Sequence, residues 1–60
     1  ASDVYKRQIK IKTIEIKEKV TIKLPDAIIA ATSIVFDLPL LSADKGLIKI
    51  ENLNLILFED

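Results

Sequence analysis

The segment Leu-Pro-Asp-Ala-Ile-Ile-Ala-Ala-Thr-Ser-Ile-Val-Phe, residues 24–36, decides the fold because it predicts a buried helix. Pro25 suits the first turn of a helix, where its missing N–H costs nothing, and Asp26 meets the positive end of the helix dipole. Apolar residues then cover nearly the whole circumference up to Phe36. A helix that is apolar all round is a buried helix. We therefore expect packed layers on both of its sides, which 60 residues cannot easily supply.

The residues after this helix predict two strands and a connection. The residue before a proline is pushed toward extended geometry, so Asp37-Leu38-Pro39 should end a helix over 27–37. Residues 39–43 and 53–58 have the apolar character of short strands, and residues 44–46 that of a turn. The connection over 44–52 is slightly short for a parallel crossover, so we expect a compact helical turn within 47–50. This order indicates an α/β layer with a mostly parallel sheet.

Residues 9–24 fit two patterns. Apolar β-branched residues at even positions favour a strand. A helix is favoured instead by the spacing i, i+4, i+7, i+11 of four residues, Ile9, Thr13, Ile16 and Val20. The pattern alone favours the strand slightly. Residues 1–8 are polar and aperiodic, and we expect them to form a disordered or non-native arm.

Composition excludes several classes of protein. The chain has no Cys and no His, so it has no disulfide, no zinc-ribbon site and no Cys-His or Ser-His nucleophile. Nine basic residues balance nine acidic ones, which is unlike a stand-alone nucleic-acid-binding module. No apolar stretch approaches the length of a membrane span, so we expect a cytoplasmic protein without membrane contact. The chain contains no Met, which indicates a piece of a longer protein.

Charge is distributed unevenly along the chain. Residues 1–24 carry seven basic and three acidic side chains, whereas residues 25–60 carry two basic and six acidic ones. Two solvated faces are the simpler interpretation. The functional interpretation is that the second half concentrates negative charge for a purpose.

Two of these acids are predicted to lie close together. A helix over 27–37 carries the chain about 16 Å away from Asp26, and a strand over 39–43 brings it back by about 16 Å. Asp44 then lies just past the carboxyl end of a strand, where open α/β sheets bind ligands. Paired carboxylates without His or Cys favour a hard cation, Mg²⁺ or Mn²⁺.

Each of these residues also has a structural interpretation. Asp26 alone is more often a helix-capping acid than a metal ligand, and Asp44 before Lys-Gly is more often a turn former. Ser42 on a buried strand usually bonds to backbone. On spacing alone, the metal site is the minority interpretation.

Three runs of sequence carry a family resemblance. They are Lys-Leu-Pro-Asp-Ala-Ile-Ile-Ala-Ala-Thr at 23–32, Asp-Leu-Pro-Leu-Leu-Ser-Ala-Asp-Lys-Gly at 37–46 and Ile-Glu-Asn-Leu-Asn-Leu-Ile-Leu-Phe at 50–58. Together they resemble the C-terminal part of a PIN domain, and more narrowly the VapC-like toxin ribonucleases of bacterial toxin–antitoxin pairs. The resemblance implies that residues 9–60 are a C-terminal fragment of one Rossmann-like PIN domain. It also implies a helix over 11–19, so the strand prediction there is reversed.

The resemblance implies a function as well. Asp26 and Asp44 match the third and fourth acidic positions of the family's Mg²⁺ or Mn²⁺ site, and Ser42 matches the Ser or Thr that precedes the last acid. The implied activity is hydrolysis of RNA, with a cognate antitoxin as partner and a homodimeric parent protein. The family's first aspartate and central glutamate have no counterpart here, so the fragment alone is expected to be inactive. The alternative is a noncatalytic assembly or interaction piece.

Overall fold

The computed structural model describes residues 2–59 and has an α/β architecture with two helices and a small parallel sheet. The elements follow one another along the chain as α1 (Ser2–Lys19), α2 (Leu24–Val35), β1 (Leu40–Ser42), a 3₁₀ helix (Lys45–Lys49) and β2 (Leu55–Leu57). None of the helices within this described part is long and apolar enough to cross a membrane.

Helix α1 settles the ambiguity of residues 9–24 in favour of the helix. The residues spaced for a helix face inward: Thr13 and Ile16 are buried, while Ile9 and Val20 pack half-buried against the core. In a strand, Ile14 and Ile16 would lie on the same face, but Ile14 is exposed while Ile16 is buried. The Thr13 hydroxyl donates to the Ile9 carbonyl oxygen at 2.7 Å, so its burial leaves no unpaired donor.

Residues 2–8 belong to α1 and do not form an irregular arm. Their polarity was misleading because an exposed helical turn also has few apolar residues. The Tyr5 ring lies 4.8 Å from the Phe36 ring, measured between centroids, and this contact joins the first turns of α1 to the end of α2. Residue 1 lies outside the described residues, and the non-native origin of the segment stays a prediction.

Helix α2 packs through a face of small side chains. Ala27, Ala30 and Ala31 are fully buried in the same cluster as Ile16 of α1. The opposite face carries Ile28, which is exposed. The exposure of Ile28 agrees with the expectation that 60 residues cannot cover both sides of α2, and burial of that face by further layers stays a prediction.

The end of α2 is set by a left-handed residue, and this corrects the predicted boundary. The helix stops at Val35, and Asp37 has φ of 54°. The Asp37 N–H donates to the Ile34 carbonyl and the Leu38 N–H to the Ser33 carbonyl, which is the Schellman pattern of a helix C-terminus. Pro39 follows the stop and does not cause it.

The two strands pair in parallel, as predicted, but both are shorter than predicted. The register places Leu40 opposite Leu55, Leu41 opposite Ile56, and Ser42 opposite Leu57. The connection spans 43–54, and the 3₁₀ helix inside it supplies the expected compact turn. Its Leu47 is buried in the core with Ile50, while Leu40, Leu53 and Leu55 pack around them. One face of the sheet therefore lies on the core.

The left-handed residue after α2 gives a test of this fold. Non-glycine residues cost roughly 1–2 kcal/mol in this conformation, and β-branched residues are the least tolerated there. We expect Asp37→Gly to raise the free energy of unfolding by up to about 1 kcal/mol and Asp37→Val to lower it by about 1–2 kcal/mol. Urea unfolding followed by circular dichroism measures both changes. Equal stability of the two variants would contradict the left-handed end of α2.

Candidate metal site

Asp44 lies two residues after the end of β1, at the carboxyl end of the parallel pair. Its N–H donates to the Ser42 hydroxyl oxygen at 3.1 Å, and its Oδ1 accepts from the Gly46 N–H at 2.8 Å. The carboxylate therefore caps the 3₁₀ helix, which is the turn-forming role that sequence statistics favour. Ser42 has the matching role of fixing the backbone of Asp44.

A side chain at position 46 would crowd this carboxylate. A Cβ atom built on Gly46 would lie 3.1 Å from Asp44 Oδ1. Oδ1 of Asp44 therefore lies against the backbone of Gly46, whose N–H donates to it. Among residues 2–59, no side chain or amide donates to the second carboxylate oxygen, Oδ2, and the exposed position of Asp44 leaves that oxygen accessible.

Asp26 lies in the first turn of α2, between Pro25 and the buried Ala27, and is half-buried. The residue before the helix, Lys23, makes no side-chain cap hydrogen bond. In the described part of the chain, the Asp26 carboxylate forms no hydrogen bond or ion pair. Its position suits both interpretations of the sequence, since the positive end of the helix favours a carboxylate with or without a cation.

The neighbours of the two aspartates belong to one buried cluster. Ala27, which follows Asp26, is in the same core cluster as Leu47, which lies in the 3₁₀ helix that Asp44 caps. The start of α2 and the end of β1 are thereby tied to a common core. Direct approach of the two carboxylates, on which the predicted metal site depends, stays a prediction.

Asp26 and Asp44 offer carboxylate oxygens, which are the ligands that Mg²⁺ and Mn²⁺ prefer. Within residues 2–59, no three acidic side chains come together as a set of metal ligands. Mg²⁺ is often held by only one or two carboxylates, with waters and substrate phosphates completing six oxygens. Asp26 and Asp44 therefore suit part of such a site in ligand type, and they do not form a complete site by themselves.

A charged cleft elsewhere on the molecule was not predicted. It measures about 290 Å³ and lies between α1 and the residues around the end of the 3₁₀ helix. Lys12 and Lys19 of α1 meet Lys49 there, beside Glu15 and Glu51. Lys12 and Lys49 are distant in sequence, so it is the tertiary fold that brings them to one cleft. The cleft contains neither Asp26 nor Asp44.

The pKa of Glu15 is lowered in this cleft. The first cause is the hydrogen bond from Lys12 Nζ, 2.8 Å from Glu15 Oε2, and the second is the positive charge of Lys12. The charge of Lys19 adds to the effect. The Glu15 side chain is exposed to solvent, so the ion pair fixes side-chain geometry more than it stabilises the fold.

Comparison of the chain with protein-family models, with curated proteins and with solved structures gives no match.

The Lys12–Glu15 pair predicts a pH dependence. Because the pKa of Glu15 is lowered in the folded chain, the pair's small contribution to helix stability is present above the ordinary Glu pKa. It is lost as the pH falls through the lowered value. We expect Lys12→Ala to raise the pKa of Glu15 and Lys10→Ala, on the same helix, to leave it unchanged. Carbon-13 NMR titration of the Glu15 carboxyl measures this, and an equal response to both variants would contradict the pairing.

Proposed function

We propose that this chain is part of a metal-dependent ribonuclease that hydrolyses RNA phosphodiester bonds, with Asp26 and Asp44 as metal ligands. The single observation that supports this best is the position of Asp44. It follows the carboxyl end of β1 in a parallel pair, with one carboxylate oxygen held by Gly46 and the other accessible. Ligands in open α/β sheets bind at that edge, and the resemblance to PIN domains implies an acid there.

The chain's own residues would hold and orient the cation. The Gly46 N–H donates to Oδ1 of Asp44 and so holds the side chain in one rotamer. Oδ2 is then already oriented toward the cation before the cation binds. Ser42 fixes the backbone of Asp44 through the bond to its N–H. Asp26 would add a second carboxylate from the first turn of α2, where the helix dipole favours negative charge.

A bound Mg²⁺ or Mn²⁺ ion supplies the activation of water and the neutralisation of phosphate charge that phosphodiester hydrolysis requires. Two carboxylates leave most of its coordination positions to waters and to the substrate. The resemblance implies two further acids, which have no counterpart in these 60 residues. We therefore propose that the catalytic unit includes residues outside this chain and that the chain alone does not cleave RNA.

The partners proposed for the catalytic unit follow from the same resemblance. They are a single-stranded or looped RNA substrate, since cleavage needs an exposed backbone, and a cognate antitoxin protein. A homodimer in the cytoplasm is the proposed state of the parent protein.

Metal binding can be tested on the 60-residue chain itself. We expect Mn²⁺ to broaden the NMR signals of the amides around Asp26 and around Asp44 together, because one ion would contact both carboxylates. Asp26→Asn and Asp44→Asn should each weaken binding at least about tenfold. The Asn at 44 retains an oxygen that can accept from Gly46, so its fold should be preserved. Asp37→Asn is the matched control, since Asn tolerates the left-handed conformation.

Broadening around only one of the two aspartates would contradict a shared ion. Broadening around all exposed acids to the same extent, with no effect of either Asn variant, would show adventitious binding. A loss of stability of about 0.3–1 kcal/mol in Asp26→Asn with unchanged Mn²⁺ affinity would show that Asp26 acts on the helix dipole alone.

Catalysis can be tested on the longer protein that contains this chain. We expect cleavage of single-stranded RNA that requires Mg²⁺ or Mn²⁺ and falls about 100-fold or more in Asp26→Asn and Asp44→Asn. Asp37→Asn should retain the activity of the unchanged protein. Metal-independent cleavage, or full activity in both ligand variants, would contradict the proposal.

A further inference from the structure

The sheet has an apolar face that no described residue covers. Leu40 and Leu55 face the core, so their neighbours Leu41 and Ile56, which are opposite each other in the register, point to the other side. Leu41 is 64% exposed and Ile56 49%. Phe58 extends the ladder through the bond from its N–H to the Ser42 carbonyl, and it is also exposed. These three residues, Leu41, Ile56 and Phe58, form the sheet face.

Parallel sheets are normally covered by helices on both faces. In this chain the helices α1 and α2 bear on the core side only, through Ile16 and the alanines of α2. To be buried, the sheet face therefore needs a second layer whose contact surface is helical and apolar. A large exposed apolar surface of this kind is typical of an interaction site.

The two helices have such a surface on their outer side. A groove of about 420 Å³ runs between them, and its lining is almost entirely apolar. Ile14 and Leu24 are each about half exposed there, and Ile28 is 43% exposed. The seven residues of this helix groove are Lys6, Ile9, Lys10, Thr13, Ile14, Leu24 and Ile28. The Thr13 hydroxyl is already bonded to Ile9, so it requires no polar partner in the groove.

The charges of the two surfaces are complementary. The charged residues that line the helix groove are both lysines, Lys6 and Lys10. At the sheet face, the carboxyl ends of both strands lie at one edge because the strands are parallel. That edge has Asp44 and Lys45 after β1 and Glu59 directly after Phe58, so its acids outnumber its one lysine.

We propose that the sheet face of one copy of this chain docks on the helix groove of a second copy. The contact would pack the apolar sheet side chains between α1 and α2, with Glu59 near Lys6 and Lys10 of the neighbour. It joins two different surfaces, so each copy keeps one surface free for the next. Such a contact forms rings or open chains and does not stop at two copies.

Sedimentation velocity of the 60-residue chain tests the proposal. We expect species larger than two copies that grow with protein concentration and shrink as salt screens the lysine–carboxylate attraction. Ile28→Ser should weaken association about tenfold. Ile48→Ser is the matched control, because Ile48 is 61% exposed and belongs to neither surface. A chain that remains monomeric, or that stops at a dimer, would overturn the proposal.

A charge swap identifies the two surfaces. One variant combines Lys6→Glu with Lys10→Glu, and the other carries Glu59→Lys. Each alone should associate about tenfold more weakly, since groove and sheet face then have charge of the same sign. Mixed in equal amounts they should associate again, because each groove meets a face of opposite charge. Lys49→Glu, outside both surfaces, is the control for net charge. Failure of the mixture to regain association would overturn the pairing of these surfaces, and circular dichroism of each variant verifies that it remains helical.

Discussion

The burial of three alanines on one face of α2 is the constraint on which the rest of the structure depends. Ala27, Ala30 and Ala31 have no exposed surface. Their small side chains let Ile16 of α1 and Leu47 of the 3₁₀ helix join a single cluster around α2. Larger residues at these positions would separate the layers, since close-packed interiors accommodate added volume poorly. The parallel strands are then positioned by Leu40 and Leu55, which rest against the same cluster.

This constraint explains which parts of the fold the sequence could predict. The start of α2 is marked by local chemistry at Pro25 and Asp26, so its existence followed from the residues alone. The 3₁₀ helix followed from chain length, because a parallel crossover needs a compact turn. Residues 9–24 could not be assigned locally, since Ile16 satisfies both periodicities. Only the alanine face of α2, which offers a groove for a helix, decides between them. The end of α2 was misplaced because Asp37 was not expected to adopt a positive φ.

The sequence proposes Asp26 and Asp44 as the residues of the candidate site, and the geometry that relates them stays a prediction. Asp44 was recognisable as an acid at a strand end, and the same short sequence encodes its bonds to Ser42 and Gly46. Capping and ligation use different oxygens of one carboxylate, so the two interpretations of Asp44 are compatible. The separation of Asp26 from Asp44 depends on the tilt of α2 over β1. The lengths of the elements alone do not determine that tilt.

The uneven charge of the two halves connects the candidate site with the proposed self-association. The sequence alone favoured two solvated faces, and in the structure most of the basic residues lie on α1 while Asp44 and Glu59 lie at the carboxyl edge of the sheet. Asp44 and Glu59 share that edge. If both proposals hold, a neighbour's Lys6 and Lys10 would approach the edge that holds Glu59 and also Asp44, one of the two proposed ligands of the cation. Metal binding and docking of a second copy would then compete, because the cation and the neighbour's lysines would both bring positive charge to the carboxylates at this edge of the sheet. By linkage, each would weaken the other by the same factor.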